Sequence, residues 1–160
     1  MTTVTLDLPE PNYTLVNCSR GGKPEVICIN SALLAFKHPE IFPWHLRVTM
    51  FAERMIQNGM PSPDESKLLF KIADRIEREV LKVATDLGAT DALFLARSTW
   101  NESRELYFRV HDPKPMDKAL KKMVKRKTWH SREWEYAMDH DPEWAAAGFI
   151  FQVLSPDVKN

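Results

Sequence analysis

The sequence is short of cysteine and glycine, balances its charges, and contains no long apolar run. Cys18 and Cys28 are the only cysteines, without the paired spacing of a zinc knuckle, so neither a disulfide framework nor a cysteine-based metal site is expected. Five glycines leave little material for phosphate-cradling loops, and no G-x-G-x-x-G, Walker A or G-x-S-x-G pattern occurs. Lys plus Arg equals Asp plus Glu at 22 each, so no global field draws the molecule toward nucleic acid or an anionic membrane. No stretch approaches the ~20 apolar residues of a membrane span. The opening MTTVTLDLPEPNYTLV lacks a basic segment followed by an apolar one, and the expectation is a cytoplasmic protein without membrane attachment.

What is present is the composition of a globular chain: 160 residues, 44% hydrophobic and 28% charged, enough to bury one core within a single domain over residues 1–160. NYTLVNCSR and PEVICIN flank Gly21-Gly22 and predict a hairpin over residues 13–30. In that register Cys18 faces Glu25 rather than Cys28, which leaves both thiols free and buried. Residues 31–43 mix a short apolar turn with prolines and read as a connector. WHLRVTMFAE then alternates, with Trp44, Leu46, Val48 and Met50 on one side.

Ser62, Pro63 and Glu65 form a helix start with the pattern of a capping box. Leu69, Ile72, Ala73, Ile76, Val80, Val83, Ala84 and Leu87 carry that helix for about six turns, to Gly88. DALFLARSTW and RELYFRV predict two strands joined at NES, with Leu106, Phe108 and Val110 alternating against Glu105, Tyr107 and Arg109. Asp112 and Pro113 open a second helix, and SREWEYAM gives a last strand with Trp134, Tyr136 and Met138 together. The predicted class is α+β: a ferredoxin-like βαββαβ core over residues 44–138 with an antiparallel sheet, preceded by the hairpin and followed by a C-terminal helix and tail over 139–160.

Near the end, DHDPEW gathers Asp139, His140, Asp141 and Glu143. Asp141 as N-cap, Pro142 at the first helical position and Glu143 in the first turn account for them as a helix start over 141–149. Two chemical uses stay open. His111, Asp139 and His140 suit a divalent ion by residue type, and His140 oriented by Asp139 suits a general base, but no ligand spacing such as H-E-x-x-H supports either. No cofactor is expected.

LFLARSTWNESRELYFRVHDPK, with DPEW after it and WHLRVTM and a long helix before it, resembles the bacterial family catalogued as domain of unknown function 695, over roughly residues 26–154. AAAGFIF stands where relatives more often show a Tyr-containing helix, and TWNES where they carry a glycine-containing turn. The resemblance implies a shape similar to small ferredoxin-like regulators that bind and inhibit a ribonuclease, and brings no catalytic residues with it.

The functional expectation is therefore a non-catalytic regulatory or immunity-type protein that binds a partner such as a toxin or nuclease. Its contacts are expected at the exposed sheet edge or face, at Trp100, at the charged turn Asn101, Glu102 and Arg104, and at Trp129. A homodimer through an uncovered sheet face is a further expectation. Two alternatives remain: a small enzyme using His111, Asp139, His140 or Asp141, and a nucleic-acid binder using the basic helix over 114–127 with Trp129 as a stacking platform.

Overall fold

The computed structural model describes residues 7–84, 90–126 and 131–154. Strand β1 (Tyr13–Arg20) turns at Gly21 and Gly22, both at positive φ, into β2 (Lys23–Asn30). Cys18 lies opposite Glu25 as expected, and both cysteines are free, though half-buried rather than buried. After the hairpin come β3 (Trp44–Phe51), α1 (Pro63–Leu81), β4 (Ala92–Trp100), β5 (Ser103–Val110), α2 (Pro113–Lys125), β6 (Trp134–His140) and α3 (Ala145–Phe151).

The six strands form one antiparallel sheet in the order β1-β2-β4-β5-β3-β6. The hairpin thus lengthens the sheet beside β4 instead of lying over a face, and β1 and β6 are its edges. The apolar stripes of α1 (Leu69, Ile72, Ile76) and α2 (Met116, Leu120) close on Leu46, Val48, Phe108 and Trp134 in a single core on one face. Each such fully buried aliphatic side chain is worth about 1.5–3 kcal/mol of transfer free energy.

The Ser62 hydroxyl accepts from the Glu65 amide at 3.3 Å, yet the expected capping box is only half made. Glu65 is buried and turns away to Arg132, whose Nε and Nη2 donate to it at 2.8 and 2.6 Å, and to the Glu53 amide at 2.6 Å. The Arg132 guanidinium dominates, and together with the amide it outweighs burial and holds the Glu65 carboxyl down to about 2. α1 also ends sooner than its periodicity suggests, at Leu81, because Val83 and Ala84 are drawn into pairing with later residues: Asp91 N donates to Val83 O, and Ala84 bridges Thr90. Leu87 and Gly88, expected in that helix, lie outside the described residues. α2 begins as expected, with the Asp112 carboxylate accepting from the Lys114 amide at 3.0 Å.

The helix expected over 141–149 starts later, at Ala145, and its N-cap is Trp144 in the left-handed region (φ 57). Asp141 still serves the helix start from a distance, accepting from the amides of Ala145 and Ala146 at 2.9 and 3.0 Å. Pro142 and Glu143 occupy an exposed turn instead of the first helical turn. The reason is tertiary: the Trp144 indole is drawn inward, where its Nε1 donates to the carbonyls of Pro39 and Phe42.

α3 and the 31–42 connector form a second core on the opposite face, in which Ile29, Phe42, Leu95, Trp144, Ala147 and Ile150 pack together. The face expected to stand open is therefore covered over its middle strands. Tyr107 and Arg109, whose alternation suggests a solvent side, are buried there. A bulge in β4 between Phe94 and Ala96 resets the alternation of that strand. Beyond it Arg97 and Thr99 face the helix side, while Ser98 and Trp100 face the other.

Candidate functional site

The elements expected to contact a partner gather at the end of the sheet where the β1–β2 and β4–β5 turns lie side by side. Asn101 and Glu102 make the second turn, both at positive φ (45 and 68), the pattern of a tight hairpin connection. The Lys23 ammonium donates to Asn101 Oδ1 at 2.7 Å, and the Glu102 backbone bonds Gly59 and Ala52. Trp100 does not stand free. Its Nε1 donates to the Arg20 carbonyl at 2.8 Å and the Arg20 guanidinium lies 3.8 Å from its ring centroid. Arg20 in turn pairs with Glu25 at 3.1 Å and Glu105 at 3.7 Å, while Ser98 bonds Glu25 and the Tyr107 hydroxyl donates to Glu105 at 2.7 Å. This polar cluster braces the two hairpins together. Trp129 lies outside the described residues.

Arg104 departs most from expectation. Its position in the sequence suggests an exposed charged turn, but it is only 3% exposed and points to the helix side. Its Nε donates to Thr99 Oγ1 at 3.1 Å and its guanidinium lies 4.2 Å from the Phe70 ring centroid. Arg97 approaches the same ring at 4.8 Å. Among the described residues neither arginine forms an ion pair with a carboxylate. Burial, with Arg97 adding to it, lowers the Arg104 pKa to about 10, so it remains a cation at neutral pH. Around the two guanidinium groups is a pocket of about 220 Å³, walled by Leu15, Val26, Met60 and Phe70. Of its lining side chains Leu15 and Phe70 are 66% and 42% exposed, and Tyr13, two residues before Leu15 on β1, is 56% exposed.

The residues considered for catalysis do not converge. His111 Nδ1 sits 2.6 Å from the Ile41 carbonyl, and the His140 ring packs on Trp44 at 4.8 Å on the edge strand. Asp139 is exposed on β6, in register with His45. Asp141 is engaged by Arg109: Nη1 donates to its carboxylate at 2.9 Å, and the same guanidinium bonds the Phe42 carbonyl. Burial opposes ionisation of Asp141, but the Ala146 and Ala145 amides and Arg109 prevail and hold it below the usual carboxylate range. Among the described residues no group of His, Cys, Asp and Glu is arranged to hold a metal ion. The exposed lysines of α2 line its outer face, with Lys121 paired to Asp117 at 3.0 Å. Among the described residues no helix is long and apolar enough to cross a membrane.

Arg97 and the apolar rim carry no motif that marks them in the sequence. The one usable signal is spacing: a tight turn at Asn101-Glu102 makes Thr99 the cross-strand neighbour of Arg104. That placement still depends on the bulge for its face.

Comparison with characterised proteins and with solved structures gave no match for this chain. The sequence model of one family covers residues 11–151. By that match over most of its length, the chain belongs to the family described as a family of unknown function, DUF695.

Proposed function

We propose that this is a non-catalytic protein of regulatory or immunity type, acting in the cytoplasm by binding and inhibiting a partner protein such as a toxin or nuclease. The observation that carries the reading is the free edge at β1. Among the described residues β1 pairs with β2 alone, and its sequence YTLVNCSR holds a single charge, Arg20. Natural edge strands are usually blunted with lysine, proline or a bulge, because an unguarded row of backbone donors and acceptors accepts a further strand. Tyr13 and Leu15 on that edge, with Phe70 on α1, offer apolar area for the partner's side chains. The Asn101-Glu102 turn and Trp100 supply a second, polar contact. The order β4-β5-β3-β6 supports reading the last four strands and the two long helices as a ferredoxin-like unit, with the hairpin as the added edge.

The test is quantitative affinity purification from the native cell with the parent chain and a Leu15→Lys variant, whose melting temperature checks folding. A stoichiometric partner retained by the parent and lost by the variant is the expected result. No such partner, or one that ignores the charge on the edge, refutes the reading. Sedimentation of the parent alone as a dimer that Leu15→Lys dissociates would replace it with self-association through the same edge.

A further inference from the structure

We infer that the pocket beside β1 is a binding site for a carboxylate carried on a short apolar stem, with Arg97 and Arg104 as its cationic floor. The inference goes beyond the proposed function and holds whether or not a protein partner uses the edge. The guanidinium groups withdrawn from solvent are treated in two ways in this chain. The buried Arg109 meets Asp141, and the half-buried Arg132 meets Glu65 and Glu53. Arg104 is as deeply placed and, among the described residues, has no acidic partner. Its Nε is used by Thr99, while its two Nη groups reach only the Ser66 carbonyl and hydroxyl, each at 3.4 Å, longer than a well-made hydrogen bond. The nearby acids on α1 are Asp74, which is exposed, and Glu77, which is half-buried; both act on the arginines at a distance, and neither closes an ion pair with Arg97 or Arg104.

Two guanidinium groups held against one aromatic ring make a cationic surface in the pocket wall, and a carboxylate, which guanidinium groups bind well, offers the Arg104 Nη groups better acceptors than their 3.4 Å contacts with Ser66. The walls decide what else the ligand carries. Leu15, Val26, Met60 and Phe70 match an aliphatic stem better than the further charged oxygens of a phosphate ester. The volume of about 220 Å³ falls below the ~300–1,000 Å³ of pockets for drug-sized ligands and suits a small acid better than a nucleotide. The Ser62 hydroxyl already occupies the Glu65 amide at the helix start, so α1 does not present that donor to a phosphate.

The arginine Nε–Hε resonances of the isotopically labelled full chain are titrated with sodium hexanoate, with sodium chloride at matched ionic strength, and with inorganic phosphate. Saturable shifts of Arg97 and Arg104 with hexanoate alone are expected. Arg97→Gln, at a half-buried position without an ion pair among the described residues, should weaken hexanoate at least 10-fold while keeping the parent's melting temperature. N-acetyl-Leu-Glu-Leu-amide is titrated in parallel: tighter binding than hexanoate identifies a peptide side chain as the source of the carboxylate, weaker binding a free acid, and either supports the site. Shifts that track chloride equally, saturation by phosphate without hexanoate, or hexanoate affinity indifferent to Arg97→Gln would overturn the inference.

Discussion

Arg109 and Arg104 lie on the same strand, both are buried, and the protein treats them in opposite ways. Arg109 is fully buried on the face covered by α3, where Asp141 neutralises it, the Phe42 carbonyl accepts from it, and the Trp144 ring lies 4.7 Å away. Arg104 is buried on the helix face against Phe70, with a serine, a threonine and a neighbouring cation for company. A charge taken out of water is retained at low cost only when an opposite charge and hydrogen bonds meet it. The first arginine therefore fastens the C-terminal segment to the sheet. The second holds binding capacity that the fold leaves unused, and it opens beside an edge strand with exposed apolar side chains.

The contrast is most directly broken at Arg109. Arg109→Ala should cost about 3–5 kcal/mol, because it empties the volume a fully buried side chain fills and leaves the half-buried Asp141 carboxylate without its cation; chemical denaturation measures the loss, and a cost below about 1 kcal/mol would contradict the structural role. His45 sharpens the comparison through pH. Burial first, then the nearby Arg109, lowers its pKa from 6.5 to about 4, so it is neutral when folded. A histidine with a depressed folded pKa contributes its full stability above the unfolded value, and that contribution is lost as pH falls from about 6.5 toward 4. The loss amounts to about 3 kcal/mol over the window. Unfolding titrations of the parent and of His45→Phe, which preserves the ring packed on Tyr107, should show the parent losing about 3 kcal/mol more stability than the variant across those pH values. The smallest effect is expected at Arg104. Arg104→Met removes a buried charge that, among the described residues, no carboxylate pairs with, and retains an apolar stem against Phe70, so stability should stay within about 1 kcal/mol of the parent. A loss as large as that of Arg109→Ala would make the two arginines equivalent.

Much of the architecture is readable along the chain. The alternation of Trp44, Leu46, Val48 and Met50 identifies the inner face of β3, and the glycine pair at 21–22 sets the hairpin register that places Cys18 against Glu25. Ser62 and Asp112 mark two helix starts, each with a proline directly after it. The candidate site is much less legible. Trp100 and the Asn101-Glu102 turn stand at the expected end of the sheet, but Arg104 reads as solvent-facing because residues near a tight turn usually are exposed. Nothing in ALFLARSTW reveals the bulge at Leu95, and one extra residue reverses which side chains face the helices. DHDPEW reads as a helix start on the strength of Asp141, while the ion pair of Asp141 with Arg109 involves a residue far away in the sequence and leaves no local trace.

Period, caps and turn pairs are properties of a few neighbouring residues, so they specified the strands, the two long helices and their order without reference to the rest of the chain. Which faces became buried could not be specified in that way. The second core arises only when the 31–42 connector and α3 meet across the sheet, and that meeting makes an apparently solvent-facing arginine an anchor. The same holds for the pocket, since Leu15, Phe70 and the two arginines come together from separate elements and share a function only through proximity in space.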